Sequence, residues 1–244
     1  MFRPCAVIPT YDNPLTVGAT VEALRRHLRD VILVDDGSAE PGRRAVEALG
    51  SAGRAVAVRR PQNGGKGAAV KTGFEVARRL AFSHVLQVDA DGQHDLDDAP
   101  RFLEAARRNP RALVLGLPVF DASQPRSRAF ARKISQFWVN LETGGRVIAD
   151  PQCGFRVYPL EAAIAAEASG NRMEFDQELP VRMVWRGASV VNLPTRVRYL
   201  AKEHGGISHF RVFADNLRIS IVHTRLVLQA PWALARRAAR SRST

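Results

Sequence analysis

Cysteine and the larger aromatic side chains are scarce in this sequence: its 244 residues include two cysteines, three tryptophans and three tyrosines. Cys5 and Cys153 lie far apart and lack the spacing of a zinc site, so we expect two reduced thiols in a cytoplasmic protein. The chain has no uninterrupted apolar run of about 18 residues, which argues against a membrane-spanning helix. Residues 1–4 lead directly into an apolar segment and do not look like a secretory signal peptide.

Negative charge is also scarce, because 24 acidic residues face 36 basic ones and the formal net charge is +12. This balance favours an anionic partner, which could be nucleic acid, anionic lipid or a phosphorylated substrate. Aromatic residues are not interleaved with the basic ones as they are in RNA-binding proteins, so we expect no nucleic-acid partner.

The first 116 residues alternate between short apolar runs and segments of helical spacing. Continuous apolar strands separated by helices predict an α/β fold with a mostly parallel sheet covered on both faces. Ligands bind such sheets beyond the carboxyl ends of the strands. Strands are predicted at residues 5–9, 31–34, 55–58, 85–88 and 112–115, and helices at 14–28, 67–80 and 97–108.

The regular alternation of strands and helices ends after residue 117, but no repeat, linker or domain boundary is visible. We therefore predict one domain, residues 1–230, followed by a basic tail, residues 231–244. The second half is predicted to contain helices at 126–141, 175–186 and 210–228, strands at 152–158 and 189–193, and a polar loop at 199–209.

Asp89 and Asp91 follow the predicted fourth strand, and in an extended chain their side chains point the same way. Two carboxylates beside Gly92 suit Mg²⁺ or Mn²⁺, and Gln93 offers a further oxygen. A metal here would neutralise the charge that develops on a departing diphosphate. The alternative is an acidic turn at a strand end, without a function of its own.

Two further segments end in polar residues. Asp35 and Asp36 close the second strand, where they can accept hydrogen bonds from a base or ribose or cap the next helix. Residues 63–67 (NGGKG) form a glycine-rich entry to a helix, and Lys66 makes this entry a candidate anion site. The P-loop pattern is absent, and a structural turn is the alternative.

These segments, in this order, resemble the family 2 glycosyltransferases, which have the GT-A fold. Residues 7–13 (VIPTYDN) look like the family's first strand and nucleotide loop, and residues 34–38 (VDDGS) like its second-strand signature. Residues 88–94 (VDADGQH) are similar to its D-x-D metal segment, in the form typical of dolichol- and polyprenyl-phosphate sugar transferases. The resemblance divides the domain into a nucleotide-sugar half, residues 1–116, and an acceptor half, residues 117–230.

The resemblance also implies roles for individual residues. Pro9, Tyr11 and Asp36 would hold the nucleotide. Asp89, Asp91 and Gln93 would hold the metal and the donor diphosphate, and the transfer would invert the anomeric configuration.

The second half resembles a narrower group, the stand-alone transferases encoded with bacterial aryl polyene clusters. Two departures from the dolichol-phosphate enzymes concern the acceptor side. Leu117 stands where those enzymes often have arginine, and His209 where they usually have lysine. The segments that carry the narrower resemblance are 150–160 (DPQCGFRVYPL), 173–181, 194–197, 206–210 and 223–226.

The expected function is transfer of a sugar from a UDP- or GDP-sugar to a lipid-linked acceptor, either polyprenyl phosphate or an aryl polyene lipid. A phosphate acceptor needs no general base, whereas an alcohol would need one, and Asp176 is the candidate. Asp176 also suits a helix start without any function. Candidate contacts to an acceptor phosphate are Arg128, Arg132, Lys202, Ser208, His209 and Arg211.

Two other functions remain as alternatives. A nucleotidyltransferase would show a glycine-rich loop after the first strand, which residues 9–14 lack. A nucleic-acid-binding module rests on charge alone. The sequence indicates no oligomeric state.

Residues 217–232, followed by arginines at 236, 237, 240 and 242, predict either an interfacial membrane anchor or a packed helix with a basic tail. With the anchor, the expected location is the inner face of the cytoplasmic membrane.

Overall fold

The computed structural model describes residues 1–120, 126–198 and 210–241, apart from the side chains of residues 126–129, 240 and 241. Strands and helices alternate along these residues. The strands are β1 (Pro4–Thr10), β2 (Val31–Asp35), β3 (Val56–Arg59), β4 (His84–Gln87), β5 (Leu113–Phe120), β6 (Arg156–Pro159) and β7 (Val190–Val197). The helices are α1 (Val17–Arg25), α2 (Gly42–Ser51), α3 (Lys66–Arg79), α4 (Ala99–Arg108), α5 (Arg126–Thr143), α6 (Leu160–Ala165), α7 (Phe175–Trp185) and α8 (Val212–Ser241).

The strands form one seven-stranded sheet in the order β3-β2-β1-β4-β6-β5-β7. β6 is antiparallel to β4 and β5, and the other neighbouring strands pair in parallel. The predicted α/β fold with a mostly parallel sheet is therefore confirmed. β5 precedes β6 in the chain but lies beyond it in the sheet, between β6 and β7, so both halves of the chain build the same sheet.

Helices cover both faces of the sheet, which explains the continuous apolar strands. In β1, Val7 packs in a cluster with Phe74 of α3 and Leu179 of α7. The next residue, Ile8, packs on the other face with Leu24 of α1. Burying a side chain of this size contributes roughly 1.5–3 kcal/mol, so the alternation fixes which residues of β1 face each layer.

Several elements differ from the prediction, and α2 and α6 were not predicted. β3 is an edge strand and largely exposed, so its apolar residues do not indicate a buried strand. α8 continues to Ser241, well beyond residue 228. β6 begins at Arg156 rather than at residue 152, because Asp150 Oδ1 accepts hydrogen bonds from the backbone N–H groups of Gln152 and Cys153 and holds a turn there. Within the described ranges, no helix is long and apolar enough to cross a membrane.

Candidate active site

The candidate site lies along the edge of the sheet formed by the carboxyl ends of the internal strands β1, β2 and β4. Because these strands pair in parallel, the residues that follow Thr10, Asp35 and Gln87 gather at that edge. Pro9 is buried within β1, opposite Val34 of β2, and Tyr11 follows the strand in a partly buried position.

Asp35 and Asp36 are both buried and both have partners within the chain. Asp35 pairs with Arg59 and accepts a hydrogen bond from the backbone N–H of Ser38 at 2.8 Å. Asp36 pairs with Arg60 at 2.7 Å and also accepts from the backbone N–H groups of the glycine-rich loop. The two carboxylates thus order the loops around the site, and their contact with a nucleotide stays a prediction.

The glycine-rich loop packs against the segment that precedes α7. The backbone N–H of Ala68 donates to Asn171 O at 2.9 Å. Gly65 has a φ of 99°, and a Cβ there would lie 2.6 Å from Asn171 O, so only glycine fits this approach. The loop places Lys66 at the first position of α3, with its side chain directed into the site.

Lys66 is the central cation of the site. Its Nζ lies 2.7 Å from Asp89 Oδ1 and 2.6 Å from Asp176 Oδ2. Burial alone would lower the pKa of Lys66, but the two carboxylates hold it above its usual value. The ammonium therefore stays charged and joins the end of β4 to the start of α7.

Asp89 and Asp91 lie close together, but a turn rather than an extended strand sets their geometry. β4 ends at Gln87, and Ala90 and Asp91 lie in a turn that continues into Gly92, whose φ is 70°. Burial and the negative charge of Asp89 raise the pKa of Asp91 to about 6. Burial acts in the same direction on Asp89, but Lys66 and His94 hold the pKa of Asp89 below its usual value.

This carboxylate pair fits a divalent cation of the Mg²⁺ or Mn²⁺ type. The repulsion that raises the pKa of Asp91 is one that a cation between the two groups would remove. Gly154 leaves room at Asp89, because a Cβ on residue 154 would lie 2.1 Å from Asp89 Oδ2. The described residues hold no cluster of three or more His, Cys, Asp or Glu side chains suited to a metal. The pair therefore fits a cation that takes its remaining ligands from phosphate oxygens and water.

Gln93 and His94 complete this segment, and both backbone groups of Gln93 form hydrogen bonds. The backbone N–H of Gln93 donates to Asp91 Oδ1 at 3.1 Å, and Gln93 O accepts from Arg198. Burial lowers the pKa of His94 to about 4, so the imidazole is neutral at neutral pH. His94 Nδ1 is buried without a hydrogen-bond partner, which leaves a nitrogen available beside the carboxylates.

Arg156 is the site residue for which the sequence predicted no role. It is fully buried, and its guanidinium donates to the backbone oxygens of Pro151, Cys153 and Asp176 and to the hydroxyl of Tyr158. Its contacts join the turn at residues 150–153 to the start of α7. The motif around Arg156 is compact and polar, but an arginine in a short strand is normally exposed.

Asp150 and Arg132 form another ion pair, in the half of the chain predicted to bind the acceptor, with Asp150 buried. The Arg132 guanidinium also lies over the Phe120 ring, 4.9 Å from its centre. Cys153 is buried in the same turn, and burial together with Asp150 raises its pKa to about 12. The thiolate is the nucleophilic form of cysteine, so this environment makes Cys153 a poor nucleophile.

The remaining candidates for contact with an acceptor phosphate are either exposed or outside the described residues. Arg211 is exposed just before α8, where its backbone N–H donates to Asp215 Oδ2 at 2.7 Å. Lys202, Ser208, His209 and the side chain of Arg128 lie outside the described residues.

Known proteins provide an independent comparison. The chain is 29% identical over 204 residues to polyprenol monophosphomannose synthase of Mycolicibacterium smegmatis, covering 79% of this chain and 76% of that protein. It is 25% identical over 173 residues to the UDP-N-acetylglucosamine–dolichyl-phosphate N-acetylglucosaminyltransferase of Methanococcus voltae, covering 64% and 69%.

Solved structures agree on the fold. Glucosyl-3-phosphoglycerate synthase of Mycobacterium tuberculosis in complex with UDP superposes with a TM-score of 0.68 at 14% identity, covering 93% of this chain and 80% of that one. The same enzyme with Mn²⁺, UDP-glucose and phosphoglyceric acid gives a TM-score of 0.67 at 16% identity, over the same shares. The predicted GT-A fold is confirmed by this likeness.

The family assignment rests on the greater part of the chain. The profile of Glycosyl transferase family 2 matches residues 5–162, a range that runs from β1 through β6 and includes the glycine-rich loop, Asp89 and Asp91. The chain belongs to Glycosyl transferase family 2 and is a glycosyltransferase.

Proposed function

We propose that this glycosyltransferase moves a sugar from a UDP- or GDP-sugar to polyprenyl phosphate, with inversion at the anomeric carbon. The observation that carries the proposal is the cluster of Asp89, Asp91, Lys66 and Asp176 at the sheet edge. The two relatives named above, a polyprenol and a dolichyl-phosphate transferase, support the acceptor class. Family membership favours this function over the nucleotidyltransferase and the nucleic-acid-binding module.

In the proposed reaction, an oxygen of the acceptor phosphate attacks the anomeric carbon, and the bond from that carbon to the nucleoside diphosphate breaks. A divalent metal, Mg²⁺ or Mn²⁺, held by Asp89 and Asp91 with Gln93 nearby, would supply positive charge to the departing diphosphate. Lys66, which already contacts Asp89, would add a second positive charge at the same place. The acceptor is an anion, so no side chain has to take a proton from it.

Asp176 has a positioning role in this proposal. Its carboxylate accepts from Gln87 Nε2 at 3.3 Å and contacts the Lys66 ammonium, and it is almost fully buried. An alcohol acceptor would require this carboxylate to act as the base, and Lys66 would then have to move away from it first.

The acceptor side is proposed to include Arg132 beside Asp150, together with the predicted contacts Arg128, Lys202, Ser208, His209 and Arg211. The resemblance of the second half adds a narrower candidate acceptor, an aryl polyene lipid. Either acceptor resides in a membrane, and we propose that the enzyme works at the inner face of the cytoplasmic membrane.

The test is a thermal-shift screen of UDP, GDP and their sugars with Mn²⁺, followed by transfer assays with polyprenyl phosphate. We expect one nucleotide series to raise the melting temperature, because a ligand that binds the folded state stabilises it. That donor should then yield a glycosylated polyprenyl phosphate and free nucleoside diphosphate. Stabilisation by a donor without transfer to any polyprenyl phosphate, but with transfer to an alcohol, would overturn the acceptor proposal.

A further inference from the structure

Helices α5 and α8 carry large apolar side chains on their outer faces. Spacings of three, four and seven residues place each set on one face of its helix. On α8 the set spans positions 213 to 232, which is about 28 Å of helix. The exposed side chains are Phe130, Ile134, Phe137, Trp138 and Leu141 on α5, and Phe213, Leu217, Ile221, Leu228 and Trp232 on α8.

The core does not account for these residues, because other faces of both helices pack inward. His223 of α8 is buried, and its Nδ1 lies 2.7 Å from Oε1 of Glu142 on α5. The Trp138 ring stacks on the His223 ring at 6.3 Å between centres. These contacts fix α8 against α5, whereas Phe213 and Trp232 remain 85% and 76% exposed.

The charge of the two helices has one sign at the surface. The α5 sequence contains four basic residues and one acidic one, Glu142, and the α8 sequence contains five basic residues and one acidic one, Asp215. Glu142 and Asp215 are both buried. Lys133, Arg236 and Arg237 are among the basic residues that reach solvent: Lys133 and Arg236 are exposed, and Arg237 is partly buried.

We propose that the outer faces of α5 and α8 form one docking face for a bilayer with anionic headgroups. Aromatic and aliphatic side chains enter the headgroup region, while flanking arginines and lysines attract anionic lipids. A second copy of the chain would place basic surfaces against each other, which disfavours association. A nucleic acid would leave the apolar side chains without a partner.

The docking face rests on the proposed function and connects the membrane to the acceptor side of the site. Arg132 follows Phe130 by two positions, which is about 200° around the helix. Arg132 thus points away from the apolar stripe and pairs with Asp150, beside the turn that Arg156 holds. One face of α5 would meet the membrane while another lines the site, so a phosphate anchored in the bilayer would approach Arg132.

The test compares variants by flotation with vesicles of phosphatidylcholine alone and of phosphatidylcholine mixed with phosphatidylglycerol. The triple variant Phe137→Ser/Phe213→Ser/Trp232→Ser should bind mixed vesicles at least about a hundredfold more weakly than the wild type. Leu80→Ser, an exposed apolar residue outside both helices, is the matched control and should bind like the wild type.

A second pair of variants tests the charge. Arg236→Gln/Arg237→Gln should weaken binding to mixed vesicles by about thirtyfold, at about 1 kcal/mol per arginine. Arg107→Gln/Arg108→Gln removes two exposed arginines from the end of α4 and should leave binding unchanged. Equal binding of the triple variant and the wild type would overturn the proposal. A wild-type dimer that becomes monomeric in the triple variant would also overturn it, in favour of a second copy.

A transfer assay separates this inference from the proposed function. With a short-chain polyprenyl phosphate in detergent, the triple variant should keep the wild-type rate, because no membrane is involved. Asp91→Asn should lose transfer but still bind vesicles. The surface variants could weaken vesicle binding as expected while the wild type transfers no sugar to any polyprenyl phosphate. That result would support the docking face and contradict the proposed acceptor.

Discussion

Lys66 and Asp176 form a buried ion pair, with 2.6 Å between Nζ and Oδ2, although 110 positions separate them in the chain. The same ammonium contacts Asp89, a proposed metal ligand. The site thus contains a cation of its own, which neutralises Asp89 before any metal binds.

Replacing this cation should change the affinity for metal in the absence of nucleotide. Lys66→Met removes the charge that competes for Asp89, so Mn²⁺ should bind about tenfold more tightly, a change of about 1.4 kcal/mol. Titration of free Mn²⁺ by electron paramagnetic resonance measures this directly. Lys71→Met, on the same helix, should have no effect, and unchanged affinity in the Lys66 variant would contradict the competition.

Asp91→Asn should lower transfer by about a hundredfold or more, because an amide keeps the size of the side chain but not its charge. The measurement is the rate of nucleoside diphosphate release as a function of Mn²⁺ concentration. Asp97→Asn changes an exposed carboxylate beyond the turn and should behave like the wild type. Full turnover of the Asp91 variant without added metal would remove the metal from the mechanism.

Asp176→Asn distinguishes a positioning role from general base catalysis. Since a phosphate acceptor gives up no proton, we expect kcat to fall by less than about tenfold, with a higher KM for the donor as Lys66 loses its partner. Removal of a general base would instead lower kcat by about 10²- to 10⁴-fold. A loss of that size with polyprenyl phosphate would show that the carboxylate takes part in proton transfer.

Arg156→Met should destabilise the fold by roughly 3–5 kcal/mol, because four buried oxygen atoms lose their donor. Guanidinium unfolding followed by tryptophan fluorescence measures the change. Arg111→Met, at an exposed position before β5, is the control. A variant as stable as the wild type would mean that these oxygens find other donors.

Glu178 should make stability depend on pH. It is fully buried, and although burial opposes this, hydrogen bonds from residues 169 and 170 and the charge of Arg182 hold the pKa of Glu178 below its usual value of 4.5. Its contribution is therefore complete above that value and is lost as the pH falls through the lower folded-state pKa. Glu178→Gln should cost about 1–3 kcal/mol at neutral pH.

Melting temperatures at several pH values provide the measurement. The difference between Glu178→Gln and the wild type should be largest at neutral pH and shrink in acid. Glu161→Gln, at an exposed position of α6, should show no such trend. A constant difference at every pH would contradict the stabilising role of the charged form.

The sequence predicted the position of Asp89 and Asp91 because apolar runs mark strands and polar residues mark their ends. It did not predict the pairing of Lys66 with Asp176, since that contact depends on how the loop at residues 63–67 packs against residues 171–175. Packing between two such loops produces no periodic pattern of residues in the sequence.

The docking face, too, could be predicted from the sequence only in part. The sequence predicts the helix α5 from its spacing, but spacing alone does not say whether an apolar stripe faces the core. Only the packing of Glu142 against His223 shows that the core lies elsewhere and that Phe137 faces outward.

The position of β6 has a consequence for engineering. This strand belongs to the predicted acceptor half in sequence, yet it separates β4 from β5, both of which come from residues before 121. A chimera cut near residue 116 would therefore exchange an internal strand of the sheet along with α5 and α8. Swapping acceptor specificity between relatives should succeed better when the graft replaces α5 and α8 on an intact seven-stranded sheet.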